Sequence, residues 1–435
     1  MELHERLSGT RRQQLPRREP FADLKNQNHM LVISNIGPQI FNQALDADEL
    51  RDRVIAEIRS ALATEATLGR EDRERLTAEI ADDSVTEIMV NGPTEIWIER
   101  QGRLFETTVR FTDDSHLRRI INKIVAQVGR RVDEASPMAD ARLPDGSRVN
   151  AVVPPLSLSG PLLTIRKFSK RRLTLDDLVN LGTLSQDAVD FLDMCVRAEL
   201  NILISGGTGT GKTTLLNALS ACVPDDDRII TIEDAAELQL QQRHVLRLEA
   251  RPQNIEGEGA VPIRELVRNS LRMRPDRIIV GEIRGAETID MLQAMNTGHD
   301  GSLCTVHANS SRDALHRIET MVLMAGIELP VRAIRQQASS ALDLIVHLDR
   351  LDDGSRRVTT ITEVQRMESE VITLQDLFEF KVESIAPDRT IYGQLYATGL
   401  RPIFTHKFEK HGIALPTDMF RPGAPMTLSA RLAAR

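Results

Sequence analysis

The sequence has few aromatic side chains and no surplus of positive charge. It contains 11 Phe, 2 Tyr and 1 Trp in 435 residues. Proteins that bind single-stranded nucleic acid use aromatic side chains as stacking platforms for the bases, so this composition argues against that class. Lys and Arg number 55 against 63 Asp and Glu, a formal net charge of −8. A basic footprint over the whole chain is therefore absent and no nucleic-acid partner is expected, although a net charge does not exclude a local basic patch.

Cysteines and long apolar runs are also scarce. The three cysteines, Cys195, Cys222 and Cys304, are too far apart for a CxxC pair or a zinc-binding spacing. We expect them to be reduced thiols in a cytoplasmic protein. Residues 1–20 lack the apolar segment of a secretory signal. The sequence also contains no run of 18 apolar residues, the length that would predict a membrane-spanning helix. Membrane contact is therefore expected only through partner proteins.

Changes in the apolar pattern divide the chain into five segments. Residues 1–37 are polar and are predicted to form a disordered tail. Residues 38–80 carry apolar side chains at helical spacing, which predicts a small helical bundle. Residues 81–168 mix short strand patterns with a helical pattern, which predicts an α/β domain. A linker is expected over 169–180, and residues 181–435 form the last domain, with a helical and strand extension at its C-terminal end.

Short apolar runs alternate with helical patterns in this last domain. The runs lie at 201–205, 228–232, 277–280, 302–306 and 343–348. Apolar runs separated by helices are typical of parallel strands that are buried on both faces and joined by βαβ crossovers. The sequence therefore predicts an α/β fold around a parallel sheet.

A glycine-rich segment follows the first of these runs. It reads Gly206, Gly207, Thr208, Gly209, Thr210, Gly211, Lys212, Thr213, with Thr214 continuing into a helical pattern. The segment satisfies the phosphate-loop pattern G-x-x-x-x-G-K-[ST] between a strand and a helix. Glycines let successive N–H groups point at one anion, and the helix adds its positive N-terminus. Lys212 is predicted to reach the phosphates of ATP and the Thr213 hydroxyl to bind Mg²⁺.

Acidic residues follow two other strand-like runs. Glu233 and Asp234 come after 228–232, and Glu282 comes after 277–280. The carboxyl ends of parallel strands meet at one edge of the sheet, where ligands bind. Glu233 and Glu282 are therefore candidates for binding Mg²⁺ and for activating water, and the sequence does not decide which acid activates the water. Arg284 is a candidate for orienting the site.

Two histidines flank the strand-like run at 302–306. His307 follows the run, so we expect it at the same sheet edge as the acids, where its imidazole N–H can bond the γ-phosphate. His299 precedes the run and is a second candidate for nucleotide contact. Metal ligation is less favoured, because no cysteine or third histidine has a suitable spacing.

Aromatic residues are almost absent from the predicted nucleotide domain. Phe191 is the one aromatic residue between residues 169 and 350. Recognition of the nucleotide is therefore expected to act mainly through phosphate, and any contact to the base must be aliphatic, polar or supplied by another segment.

With the phosphate loop, IEDAAEL, IIVGEIRG and TGHDGSLCTVHAN in this order, the chain resembles the secretion-superfamily ATPases. This family drives type II and type IV secretion, conjugation and type IV pili. The resemblance is strong over about 201–350 and extends to 81–168 through ARLPDGSRVNAVVPP and LLTIRKF. It implies a RecA-like P-loop NTPase domain preceded by a PAS-like α/β domain. It also implies that Arg142 and Arg148 lie in a region that presents arginines to the phosphates.

One branch of the family resembles the chain further. Residues 251–319 and 404–420 look like the CpaF/TadA branch, which powers tight-adherence (Flp) pili, and the helical segment fits the extra N-terminal bundle of that branch. The four-cysteine zinc insertion of the type II secretion ATPases is absent from the sequence. The resemblance implies a homo-hexameric, cytoplasmic ATPase motor for pilus assembly, recruited to the inner membrane by pilus platform proteins.

Three alternatives remain open from the sequence. A conjugation or protein-secretion ATPase of a type IV system shares every motif above. A DNA translocase on the same P-loop sheet is disfavoured by the acidic balance and the scarcity of aromatic residues. A non-hydrolysing nucleotide-gated scaffold is disfavoured by the full set of acids and His307.

Overall fold

A computed structural model of the chain describes residues 82, 84–100, 102–127, 129–143, 146–167, 172–251, 253 and 258–422. The chain divides into two compact units, residues 1–82 and 83–435, and every element described below lies in the second. The tail predicted over 1–37 and the helical bundle predicted over 38–80 lie outside the described residues.

The first sheet of this unit is antiparallel. Its strands are β1 (Val85–Asn91), β2 (Ile96–Arg100), β3 (Arg103–Glu106), β4 (Met138–Arg142), β5 (Arg148–Val152) and β6 (Leu162–Arg166), in the order β3-β2-β1-β6-β5-β4. Helix α1 (Asp114–Ala126) follows β3 in the chain and begins where the Asp113 carboxylate accepts the N–H of His116 at 2.7 Å. A side-chain oxygen in this position satisfies a free N–H of the first helical turn. In the pairing of β4 with β5, Arg142 lies opposite Arg148.

The second sheet has nine strands and contains the predicted parallel core. Its strands are β7 (Ile202–Gly206), β8 (Ile229–Glu233), β9 (Val245–Glu249), β10 (Arg277–Ile283), β11 (Leu303–His307), β12 (Leu344–Arg350), β13 (Arg356–Glu368), β14 (Val371–Ile385) and β15 (Ile391–Ala397). Their order is β15-β14-β13-β12-β7-β11-β10-β8-β9. The six strands from β12 to β9 run parallel, and β13, β14 and β15 extend the sheet antiparallel. The prediction of an α/β fold with a parallel sheet is confirmed.

Helices cover both faces of the second sheet. They are α2 (Leu175–Asn180), α3 (Gln186–Arg197), α4 (Lys212–Ser220), α5 (Ile263–Ser270), α6 (Glu287–Asn296), α7 (Ser311–Met324), α8 (Val331–Ala341) and α9 (Thr405–Lys410), with a 3₁₀ turn at Thr417–Phe420. Along β7, Ile202 and Ile204 belong to one buried cluster and Leu203 to the other. Successive side chains of a strand point to opposite faces, so a central strand covered on both sides is apolar throughout.

The segment predicted as a linker ends in a helix that packs with the second sheet. Thr174 and Asp177 form a capping box at the start of α2: the Thr174 hydroxyl accepts the Asp177 N–H at 3.1 Å, and the Asp177 carboxylate accepts the Thr174 N–H at 2.9 Å. Leu178 of this helix is buried in the same cluster as Phe191. Residues 175–180 are therefore part of the packed structure.

Phe191 packs among aromatic residues from the C-terminal part of the chain. Its ring centroid lies 5.6 Å from that of Phe378 and 5.4 Å from that of Phe420. Phe191 is fully buried, so it stabilises the core and is not presented to a ligand. Phe191 is therefore not available for contact with a bound base.

The cysteines are free thiols, as expected. Burial raises the pKa of the Cys304 thiol to about 12, so this side chain behaves as a small apolar residue. In the part of the chain that the structure describes, no helix is long and apolar enough to cross a membrane.

Candidate phosphate-binding site

The glycine-rich loop connects the end of β7 to the start of α4. Gly209 and Gly211 have φ angles of +70° and +100°, a backbone region that favours glycine. At Gly206, a Cβ atom would lie 2.6 Å from the carbonyl oxygen of Leu348 on the neighbouring strand β12. The loop therefore needs glycine at these positions, for left-handed backbone at two of them and for close strand approach at the third.

The side chain of Lys212 folds back onto the glycine-rich loop that precedes it. Its Nζ donates to the carbonyl oxygens of Gly206 at 3.0 Å and Gly207 at 2.9 Å. Burial lowers the pKa of Lys212, and the nearby charge of Glu282 opposes this shift. The ammonium group is thus held at the mouth of the loop, within electrostatic reach of Glu282.

Glu233 is the most buried acid of the site. It ends β8, it is 3% exposed, and its Oε2 accepts the N–H groups of Glu237 at 2.7 Å and Leu238 at 2.9 Å. Its Oε1 is buried and has no hydrogen-bond partner among the described residues. Burial raises the pKa of Glu233, and the two backbone N–H groups oppose this rise. Gly281 on β10 makes room for the side chain, because a Cβ there would lie 3.0 Å from the Glu233 Cγ.

Glu282 and Arg284 form an ion pair at the end of β10. Arg284 donates to Glu282 Oε2 from Nη2 at 2.5 Å and from Nε at 2.9 Å, and its Nη1 lies 3.4 Å from Asp234 Oδ2. The buried carboxylate of Glu287 accepts the backbone N–H groups of Arg284 at 2.6 Å and Gly285 at 2.8 Å. Sequence reasoning missed Glu287, although its place at the start of α6 is where a carboxylate meets free N–H groups.

The two histidines lie at opposite ends of β11. In the parallel pairing of β11 with β7, His307 is opposite Gly206, so it lies beside the start of the phosphate loop. His299 precedes the strand at the other edge, where the Ser302 N–H donates to the Asn201 side chain at the start of β7. The strand has five residues, which spans roughly 16 Å. The strand therefore separates His299 from the phosphate loop of the same chain, so the structure does not bring His299 together with the other predicted site residues.

Arg142 and Arg148 reach the second sheet through the loop that follows Glu233. Arg142 donates to Glu249 Oε2 at 2.8 Å and to the Ala236 carbonyl oxygen at 2.7 Å. Arg148 Nε lies 3.2 Å from Glu237 Oε1. The structure thus brings both arginines to the loop beside Glu233, where they join the two sheets of the unit.

The four-residue spacing of Arg264, Arg268 and Arg272 predicts that they share one helix face, but the structure does not place all three on one helix. Helix α5 ends at Ser270, so Arg272 lies beyond it. Arg264 is paired with Asp290 of α6 at 2.8 Å.

Two further polar contacts at the loop were not anticipated from the sequence. Beneath it, His347 Nδ1 on β12 lies 2.6 Å from the hydroxyl of Ser205, the residue before Gly206. Outside it, Arg356 on β13 donates from Nε to the Gly209 carbonyl oxygen at 2.7 Å. Neither residue belongs to a sequence motif. Each lies near the loop because of the order of the strands in the sheet.

The site fits Mg²⁺ held jointly with a nucleotide. No group of three or more His, Cys, Asp or Glu side chains in the described ranges could hold a metal ion by itself. Mg²⁺ is usually bound by one or two carboxylates together with substrate phosphates and water. The unpartnered Oε1 of Glu233, the Glu282 carboxylate and the half-buried Thr213 are the oxygen ligands that this edge of the sheet offers.

Comparison with known proteins gives consistent matches. The type II/IV secretion system protein family (T2SSE) matches residues 70–381. A Mycobacterium tuberculosis protein whose name proposes a role in conjugal transfer is 38% identical over 298 residues, which cover 67% of this chain and 84% of that protein. The type IV secretion system protein PtlH of Bordetella pertussis is 37% identical over 307 residues, covering 64% and 89%. The crystal structure of the Yersinia pseudotuberculosis ATPase DotB shares the fold, with a TM-score of 0.51 and 17% identity over 69% of this chain and 81% of that one.

Proposed function

The chain belongs to the type II/IV secretion system protein family, and we propose that it is a Mg²⁺-dependent ATP hydrolase of that family. One observation carries the proposal. A phosphate loop, a buried glutamate with one unpartnered oxygen and a second glutamate paired with arginine converge at one edge of a parallel sheet. This is the set of groups that phosphoryl transfer to water requires.

The loop and Lys212 bind the phosphates. The N–H groups of residues 207–213 and the N-terminus of α4 present positive charge to an anion. Lys212 exchanges the carbonyl oxygens of Gly206 and Gly207 for phosphate oxygens when the nucleotide binds. Thr213 and one of the two glutamates would hold Mg²⁺, which would supply positive charge to the phosphates.

Glu233 and Glu282 are the two candidates for accepting the proton of the attacking water. Glu233 has an oxygen with no partner among the described residues, and its raised pKa makes it a stronger base than an ordinary carboxylate. Glu282 is engaged by Arg284, which orients it. His307, beside Gly206, bonds the γ-phosphate and loses that partner when the phosphate leaves.

The contacts of Arg142 and Arg148 support a coupling of nucleotide state to the first sheet. Both arginines hold the loop that also supplies N–H groups to Glu233. A shift of Glu233 after hydrolysis therefore changes the backbone to which the first sheet is bound. Switches of this kind depend on contacts that the γ-phosphate makes and its loss removes.

At the level of the assembly, we propose a homo-hexamer of RecA-like domains, each preceded by a PAS-like domain, acting at the cytoplasmic face of the inner membrane through platform proteins. The resemblance of residues 251–319 supports assembly of tight-adherence pili. The names of the relatives support conjugation or type IV secretion equally. Deleting the gene and scoring surface pili against DNA or protein transfer distinguishes the two roles.

Hydrolysis is tested with the purified chain. We expect Mg²⁺-dependent release of phosphate from ATP by the wild type and loss of activity in Lys212→Ala. Glu233→Gln and Glu282→Gln, assayed in parallel, identify the acid that activates water. Replacing that acid should lower the rate of hydrolysis about 100-fold or more. Wild-type turnover in both glutamine variants would contradict the proposed chemistry. Stimulation by single-stranded DNA at physiological salt would favour a DNA translocase instead.

A further inference from the structure

Three arginines of one hairpin each bond the backbone of a different loop. The hairpin, residues 350–357, joins β12 to β13 and is called the arginine hairpin below. Arg350 donates from Nη2 to the Gly102 carbonyl oxygen of the first sheet at 2.7 Å. Arg357 donates to the Leu181 carbonyl oxygen after α2 at 3.2 Å. Arg356 donates from Nε to the Gly209 carbonyl oxygen of the phosphate loop at 2.7 Å.

The arginine hairpin is held firmly in place. The Leu351 N–H donates to the Ser355 carbonyl oxygen at 2.8 Å, which closes the turn. The Asp353 carboxylate accepts the N–H of Ser355 at 2.8 Å and the N–H of Ile391, at the start of β15, at 2.9 Å. The backbone that carries Arg356 is therefore fixed both within the hairpin and to the neighbouring strand.

Arg356 runs along the outside of the phosphate loop. Its Cδ lies 3.7 Å from the point where a Cβ on Gly211 would be. The carbonyl that Arg356 holds belongs to the peptide between Gly209 and Thr210. A trans peptide is planar, so its C=O and N–H point in opposite directions. Because Arg356 holds the Gly209 oxygen, the Thr210 N–H points to the opposite side of the peptide, away from Arg356.

We propose that Arg356 is a positioning residue of the nucleotide site, which holds the Gly209 carbonyl so that the Thr210 N–H faces the phosphates. The inference rests on the proposed ATPase function and adds a residue outside every motif of the sequence. Gly209 has no side chain and a φ of +70°, so its side of this peptide has no Cβ to restrain it, whereas the Thr210 hydroxyl on the other side donates to the Gly207 carbonyl oxygen at 3.0 Å. A cation bonded to the loop also adds positive charge near the phosphates.

Steady-state kinetics of Arg356→Gln test the role. The N–H groups of the loop bind phosphate in the ground state and the transition state alike, so their misalignment raises KM and leaves kcat nearly unchanged. We expect KM for ATP to rise about threefold to tenfold, the effect of one hydrogen bond, with kcat within about twofold. Arg356→Lys keeps the charge and a donor and is expected to recover most of the affinity.

Arg350→Gln is the matched control. Arg350 is exposed like Arg356, lies in the same hairpin, and bonds a glycine carbonyl at the same 2.7 Å distance, but on the first sheet. Its KM for ATP should equal the wild-type value. Thermal unfolding without nucleotide verifies that both glutamine variants are folded.

The outcomes separate this inference from the proposed function. If the wild type hydrolyses ATP and Arg356→Gln keeps the wild-type KM, the positioning role is overturned and the ATPase function stands. An equal rise of KM in Arg350→Gln also overturns it, because the effect then belongs to the hairpin and not to the contact. A wild type that neither hydrolyses nor binds a fluorescent ATP analogue overturns both.

Discussion

Replacing Glu233 by glutamine is expected to become more favourable for the stability of the nucleotide-free protein as the pH rises, and to stabilise it at high pH. Burial raises the pKa of Glu233 above its ordinary value of 4.5 in the folded chain. Below that value the carboxyl group is protonated in both the folded and the unfolded state. As the pH rises past it, the unfolded chain ionises first, so the wild type loses stability until the pH exceeds the folded pKa. Glutamine does not ionise, so the stability of the variant does not fall in this way as the pH rises.

The size of the effect follows from the contacts of the two Glu233 oxygens. The amide oxygen of glutamine can still accept the N–H groups of Glu237 and Leu238, now at 2.7 and 2.9 Å from Oε2. The amide nitrogen takes the place of the unpartnered Oε1, which costs about 1 kcal/mol at every pH. Removing a buried, partly unpaired charge relieves about 1–3 kcal/mol, and this relief is complete only above the folded pKa. The net gain above the folded pKa is thus about 1 kcal/mol, or about 2 °C in Tm for a unit of this size.

Thermal unfolding at pH 5 and pH 8, without nucleotide, measures this difference. We expect the Tm of Glu233→Gln minus that of the wild type to be larger at pH 8 than at pH 5. Glu368→Gln, on an exposed position of β13, is the control and should show no difference at either pH. A Tm difference that stays constant or shrinks between pH 5 and pH 8 would refute the assigned direction of the Glu233 pKa.

Three further predictions concern the loop, the arginine of the ion pair and the buried core. Gly211→Ala places a side chain at φ +100°, which costs about 1–2 kcal/mol, and should raise KM for ATP, whereas Gly326→Ala, at φ +70° away from the loop, should leave KM unchanged in the same assay. Glu287→Ala leaves the N–H groups of Arg284 and Gly285 without their acceptor, so kcat should fall about tenfold with KM within about threefold in steady-state kinetics. Arg277→Met removes the fully buried partner of Asp227 and should lower the free energy of unfolding by about 3–5 kcal/mol in urea titration; a loss below about 1 kcal/mol would contradict the importance of that pair.

Local patterns in the sequence were sufficient for the strands and the phosphate loop. Each apolar run of the last domain is a strand of the second sheet, within one or two residues for most strand ends, because a buried central strand needs apolar side chains on both faces. The glycine spacing of residues 206–211 predicts the loop because left-handed backbone and close strand approach exclude other residues. Glu233, Glu282 and His307 could be assigned to one edge because parallel strands end together.

The partners of these residues were decided only by the tertiary structure. Arg356 is separated from Gly209 by 147 residues, and no local pattern links them. The same holds for Arg142 with the Ala236 carbonyl and for His347 with Ser205. Such contacts depend on strand order and register, which the long-range packing of the sheet determines.

The contrast between His307 and His299 shows most clearly what the sequence can predict and what only the tertiary structure decides. Both histidines lie in one motif, but the direction of β11 puts only His307 opposite Gly206. The sequence by itself determined which glycine, lysine and carboxylate residues are candidates for a nucleotide site, because the chemistry of each side chain is local. The tertiary structure decided which of them meet, which oxygen of Glu233 is left unpartnered, and which arginine holds the loop, because burial and pairing arise only when distant strands pack together.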